Sequence, residues 1–178
     1  LHEDTELLVL HKPAGLVCHP TKGDAWSSLV SRVRLYLGTD AEPQMVHRLD
    51  RETSGVMVFA KTAAAALELR RMWELGFVTK EYLALVHGEV REIEGHIDLP
   101  LGPDETSAVA IKDCVRPDGT SARTRWWLER VFSRPEGTFS LLRVRLDTGR
   151  KHQIRIHLAA IGHPLVGDKI YGPDEELF

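Results

Sequence analysis

The chain has 178 residues, 43% hydrophobic and 28% charged, a globular balance with length for one buried core or two small subdomains sharing a sheet. No apolar run approaches the roughly 20 residues that span a bilayer, and the acidic start Leu1-His2-Glu3-Asp4-Thr5-Glu6 is unlike a signal peptide. A net charge of -3 argues against a uniformly basic nucleic-acid binder.

The distribution of charge qualifies that exclusion. Residues 141–157 hold Arg143, Arg145, Arg150, Lys151 and Arg155 against the single Asp147, and residues 123–134 hold four arginines against Glu129. Cys18 and Cys114 lack CxxC spacing, so neither a disulfide framework nor a zinc site is indicated, and a reducing cytoplasm is expected.

In chain order, Glu6 to Lys12 reads as a buried strand with Leu7 to Leu10 as its apolar run, stopped by the corner of Pro13 and Gly15. Lys12 at its end could face a substrate, but a solvated lysine is the simpler reading. Asp24 suits the N-cap of a helix through Leu37, with Trp26 packing in its first turn and Gly38 at its end. Val56 to Lys61 is a strand, and Thr62 caps an alanine-rich helix ending near Gly76. Lys80 to Gly88 is a strand whose unbroken apolar run, Leu83 to Val86, predicts burial on both faces.

Residues 89–105 read as turns and short strand pieces, and Ser107 to Ile111 as a strand. Ala122 to Phe132 and Phe139 to Leu146 are longer strands, with Trp126 and Trp127 as packing residues. Asp147 or Thr148 caps a last helix with Ile154, Leu158 and Ile161 on one face, ended by Gly162. An acidic tail runs to Phe178. Strands outnumber helices and do not alternate with them, so the fold class is α+β.

The chemistry-bearing stretch is Val46-His47-Arg48-Leu49-Asp50-Arg51-Glu52-Thr53-Ser54-Gly55. It places a carboxylate between two arginines in a turn at the start of a strand. Opposite charge within a few Å favours the ionised form. On charge pattern alone, a solvated salt-bridged turn is the simpler account.

Residues 47–55 resemble the HRLD-x-x-TSG signature of the RluA-type pseudouridine synthases. Lys12-Pro13-Ala14-Gly15-Leu16-Val17, Lys80-Glu81-Tyr82 and Gly149-Arg150-Lys151-His152-Gln153-Ile154-Arg155-Ile156-His157-Leu158 resemble three further motifs, in the family's order. The resemblance implies one catalytic domain over 1–178: a large mixed, mostly antiparallel β-sheet with flanking helices and a central cleft. It also implies that the accessory RNA-binding domain of many relatives, and part of the C-terminal sheet, are missing. The family usually has threonine where Lys151 stands.

The implied reaction isomerises uridine to pseudouridine in structured ribosomal or transfer RNA. The N1–C1′ bond breaks, the uracil turns, and C5 bonds to C1′ before losing its proton. No group is imported and nothing is oxidised, so no cofactor and no metal is expected. By resemblance Asp50 is the essential carboxylate, either attacking C1′ or removing the C2′ proton. Arg155 pairs with it, and Tyr82 packs on the flipped base and takes the C5 proton. Arg48 fills the space the base leaves or holds RNA. His47, Arg150, Lys151, His152 and Gln153 complete the substrate-binding set, the basic members being placed in the first turn of the Arg155 helix, where phosphate contacts are favoured. The target uridine must flip out of its stack. The protein is taken to act as a monomer.

Rival readings are weaker. His152 and His157 are five apart, unlike helical metal ligands at i and i+4. His47-Arg48-Leu49-Asp50 lacks the kinase His-Arg-Asp order and its companion elements. An RNA-binding module without turnover is the remaining alternative.

Overall fold

The computed structural model describes residues 1–20, 26–38, 40–107, 109 and 111–173. The chain divides into two compact units, Leu1–Val78 and Thr79–Phe178. All strand pairs are antiparallel among the described residues. No helix among these residues is long and apolar enough to cross a membrane.

The first unit is built on a four-stranded sheet ordered β1-β2-β4-β3. Its strands are β1 (His2–Glu3), β2 (Leu7–Lys12), β3 (Gln44–Met45) and β4 (Gly55–Ala60). β2 and β4 pair from Leu7 opposite Ala60 to Lys12 opposite Gly55. Met57, Phe59 and Ala60 of β4 are fully buried, so this strand anchors the loop that precedes it.

Helix α1 (Leu29–Leu37) starts later than its sequence pattern suggests. Ser28 is its N-cap, its hydroxyl accepting from the Ser31 N–H at 3.3 Å. Asp24 lies outside the described residues, and Trp26, before the helix, is 62% exposed rather than packed in a first turn. Helix α2 (Ala63–Glu74) begins as predicted, with Thr62 Oγ1 accepting from the Ala65 N–H.

The second unit carries a four-stranded sheet ordered β5-β10-β9-β6 and a two-stranded sheet, β7-β8. Its elements are β5 (Glu81–His87), β6 (Glu94–Asp98), β7 (Leu101–Pro103), β8 (Asp113–Val115), β9 (Arg123–Arg134), β10 (Gly137–Leu146) and α3 (Gln153–Ala160). The β9–β10 pairing skips Glu129, because Leu141 faces Arg130 while Leu142 faces Leu128. Its core joins Ala84, Val86, Val90, Ile97, Trp126, Leu142, Val144 and Leu158. A side chain at Gly95 would collide with the Trp126 indole, its Cβ falling 2.5 Å from a ring carbon.

Three expectations for this unit are corrected. β5 is buried on one face only: Ala84 and Val86 are inside, while Leu83 is 70% and Leu85 41% exposed. Apolar continuity cannot distinguish a covered strand from one whose second face is open. Of the strand expected at 107–111, Ala108 and Ala110 lie outside the described residues, and Ser107, Val109 and Ile111 are not in a strand; the described strand that follows is β8.

The third correction concerns α3. It begins at Gln153, and His152 before it takes a left-handed conformation with φ 54° and no side-chain cap bond. Arg150, Lys151 and His152 therefore lie in the preceding turn, not in the first helical turn. Thr148 serves a different purpose, accepting from the Arg123 N–H and donating to Gln153 Oε1. Of the predicted apolar face, Leu158 is buried and Ile154 packs against the core, while Ile161, at the C-cap, is 37% exposed; Ile156 is buried as well.

Candidate active site

Asp50 sits in the loop entering β4, and that loop is fastened through its backbone. The Leu49 carbonyl accepts from the Cys18 thiol at 3.2 Å. The Asp50 carbonyl closes a turn by accepting from the Thr53 N–H at 3.1 Å. The Arg51 carbonyl accepts from the Gly15 N–H at 2.9 Å and from Lys12 Nζ at 3.0 Å. Three consecutive carbonyls are thus held, which limits the positions open to the carboxylate between them.

Lys12 overturns the expectation of a solvated side chain. It is fully buried, and its ammonium donates to the carbonyls of Pro13 at 2.9 Å, Leu16 at 2.8 Å and Arg51. Those acceptors offset part of the cost of burying the charge. Burial nonetheless pushes its pKa below the ordinary lysine value, with Glu52 and Asp50 pulling the other way.

Of the other residues in this loop, Leu49 is buried and Arg48 is exposed. The Arg51 guanidinium pairs with Glu52 at 3.1 Å on the surface. His47 stacks on Trp73 with ring centroids 4.8 Å apart, and its Nε2 accepts from the Val58 N–H at 3.0 Å. That acceptor role requires the Nδ1–H tautomer in the neutral ring. Burial lowers the His47 pKa. At the loop's end Gly55 has φ +150°, and a Cβ there would meet Leu49 Cδ1 at 3.5 Å.

In the second unit, Tyr82 lies on β5 opposite Val144, half-buried against the core. Gln153 is the knot of the turn before α3. Its Oε1 accepts from Thr148 Oγ1 and the Arg150 N–H, and its Nε2 donates to the Arg123 carbonyl and Thr124 Oγ1. The amide has two donors and two acceptor sites, so its full capacity is used inside the protein. Thr124 passes the network to His157 Nδ1 at 2.8 Å, and His157 Nε2 meets the Leu99 carbonyl at 3.0 Å. Burial lowers the His157 pKa, with the Leu99 carbonyl opposing it. This histidine belongs to the core.

The remaining predicted residues surround that knot. Arg150 Nε donates to the Ser121 carbonyl at 3.1 Å, and Lys151 Nζ pairs with Asp113 at 2.7 Å. His152 Nδ1 lies 2.9 Å from the Tyr171 hydroxyl. Arg155 is held by Asp168 through two bonds, from Nε at 2.6 Å and Nη2 at 2.8 Å, and its guanidinium lies 5.0 Å from the centre of the Tyr171 ring. Asp168 also accepts the N–H groups of Ile170 and Tyr171. Burial raises its pKa, but these bonds outweigh it and hold the carboxyl below the usual range. Burial pushes the Tyr171 phenol up to about 12, so it stays neutral.

His47, Arg48 and Asp50 thus share one loop, while Arg150, Lys151, His152, Gln153 and Arg155 share one turn and helix. Sequence reasoning missed the supports: Lys12 and Cys18 in the first unit, Asp168 and Tyr171 in the second. Lys12 lies in a stretch that the motif reading had reached, but its acceptor Arg51 is 39 residues away.

Residues 6–160 match the family model described as RNA pseudouridylate synthase. An uncharacterised RNA pseudouridine synthase of Aquifex aeolicus is 39% identical over 178 residues, covering 97% of this chain and 55% of the relative. The ribosomal large subunit pseudouridine synthase D of Nitrosomonas europaea is 39% identical over 177 residues, covering 97% and 49%. Human RNA pseudouridylate synthase domain containing 1 superposes with a TM-score of 0.83 at 29% identity, over 98% of this chain and 69% of the other. The chain spans about half the length of the curated relatives it matches.

Proposed function

Because this chain belongs to the RNA pseudouridylate synthase family, we propose that it isomerises uridine to pseudouridine in structured RNA. Ribosomal RNA is the first substrate to try, given the names of its relatives, with transfer RNA second. The observation that carries the reading is the fastening of the Leu49, Asp50 and Arg51 carbonyls. It fixes the backbone that carries Asp50, the carboxylate of the family motif, which supports the reading.

In this reading the uridine flips out of its stack, and its ribose meets Asp50. Asp50 either attacks C1′ or removes the C2′ proton; each route frees uracil to turn and join C5 to C1′. Arg155 keeps Asp50 anionic. Tyr82 packs on the uracil and takes the proton that C5 must lose. Arg48 fills the vacated stack, while Arg150, Lys151 and His152 meet phosphates. Gln153 serves by shaping their turn, since its amide is fully engaged. His47 orients the loop through Val58. The reaction imports no group and needs no cofactor; the protein works as a monomer in the cytoplasm.

The test is tritium release from ribosomal and transfer RNA labelled at uridine C5. Forming the new bond expels that tritium whichever uridine is the target. Release is the expected result. Tight RNA binding without release by the folded protein would favour a binding module instead.

A further inference from the structure

Arg155 is gripped by a buried carboxylate. Its Nε and Nη2 both donate to Asp168, whose side chain is 3% exposed against 19% for the arginine. Bidentate pairing of this kind fixes the plane of a guanidinium as well as its position. Tyr171 lies against the guanidinium, 5.0 Å from ring centre to Cζ. The tyrosine is itself tied down, its hydroxyl accepting from the Asp113 N–H at 3.0 Å and lying 2.9 Å from His152 Nδ1. Asp168 is fixed in turn by the Ile170 and Tyr171 N–H groups at 2.9 and 3.1 Å.

We propose that Asp168, braced by Tyr171, is a positioning residue that presets Arg155 for the reacting carboxylate. The inference rests on the reading in which Arg155 serves Asp50. An arginine loses substantial side-chain entropy on being ordered. Here the fold supplies that ordering before RNA arrives, which leaves less to organise in the transition state. Asp168 touches neither substrate nor reacting atoms in this scheme; it acts through Arg155.

The test is a double-mutant cycle on the whole chain, using single-turnover tritium release from an unmodified ribosomal RNA transcript labelled at uridine C5. Asp168→Asn keeps an oxygen for the Ile170 and Tyr171 N–H groups but faces Arg155 with an amide. It should slow release about tenfold or more while RNA affinity stays within about threefold. In an Arg155→Ala background the same change should add nothing.

The pH profile supplies a second readout. Loss of one negative charge alone would move the acid limb to lower pH; an Arg155 released from its setting moves it to higher pH, which is the expected direction. A wild-type rate for Asp168→Asn, additive losses, or an acid limb moved downward would overturn the proposal. If Asp168→Asn fails to fold, Tyr171→Leu tests the brace instead, with a several-fold loss again silent in Arg155→Ala; additivity there overturns it. An Asp50→Asn protein that still turns over, or a wild type that releases nothing, would sink the functional reading and this inference with it. An inactive Asp50→Asn beside a fully active Asp168→Asn would sink this inference alone.

Discussion

The two residues central to the proposed chemistry are supported in different ways. Around Asp50, the supporting groups grip the backbone: Cys18, Thr53, Gly15 and Lys12 take the carbonyls of residues 49 to 51. Around Arg155, side chain holds side chain, through Asp168 and Tyr171. A backbone grip fixes where a loop runs while leaving its side chains to do chemistry. A side-chain grip fixes one functional group and depends on the identity of every member. The first should fail through loss of fold, the second through loss of geometry at constant fold.

Substitutions sharpen that contrast. Lys12→Met removes the ammonium from three carbonyls in a buried site and should cost about 3 kcal/mol of stability, read as a lowered denaturant midpoint, with turnover falling alongside. Gln153→Ala removes four hydrogen bonds at once and should cost about 2 kcal/mol. Its RNA affinity should weaken too, because the turn bearing Arg150 to His152 loses its anchor. Gly55→Ala strains a backbone at φ +150° and should cost about 1 kcal/mol, measurable in the same unfolding series.

The smallest effect is one the two regions share. His47 and His157 are both held neutral by burial, with pKa values below the ordinary 6.5. In the unfolded chain they take up protons near that value, so the unfolded state binds more protons just below it. Stability should therefore rise with pH through this window and decline on acidification. Denaturant unfolding between pH 5 and pH 7 reads the slope; a flat profile would show that neither ring is held as described.

Local signals carried much of the fold. Thr62 capping α2, the strands around Val56, Glu81 and Arg123, and the buried Trp126 all follow from residue type and spacing. The motif around Asp50 was legible for the same reason, since its members are contiguous. What escaped was set by distant partners. The buried Lys12 ammonium is shared between the nearby Pro13 and Leu16 carbonyls and that of Arg51, 39 residues away. Leu83 and Leu85 are exposed because one face of β5 stays open. The α3 helix starts late because Gln153 is drawn to Arg123 and Thr124, and Asp168 acquires its partner only when the chain folds back on α3. None of these pairings leaves a mark in local periodicity.

The central claim is that Asp50 reacts while its surroundings merely hold it, and Asp50→Asn tests this most directly. The variant keeps the loop's backbone bonds and the side chain's shape, so RNA affinity, measured by equilibrium titration with an unmodified ribosomal RNA transcript, should stay within about threefold. Turnover on the same RNA should fall by about a thousandfold or more, as expected when the reacting group is removed. Equal loss of binding and turnover, or turnover that survives, would contradict the assignment.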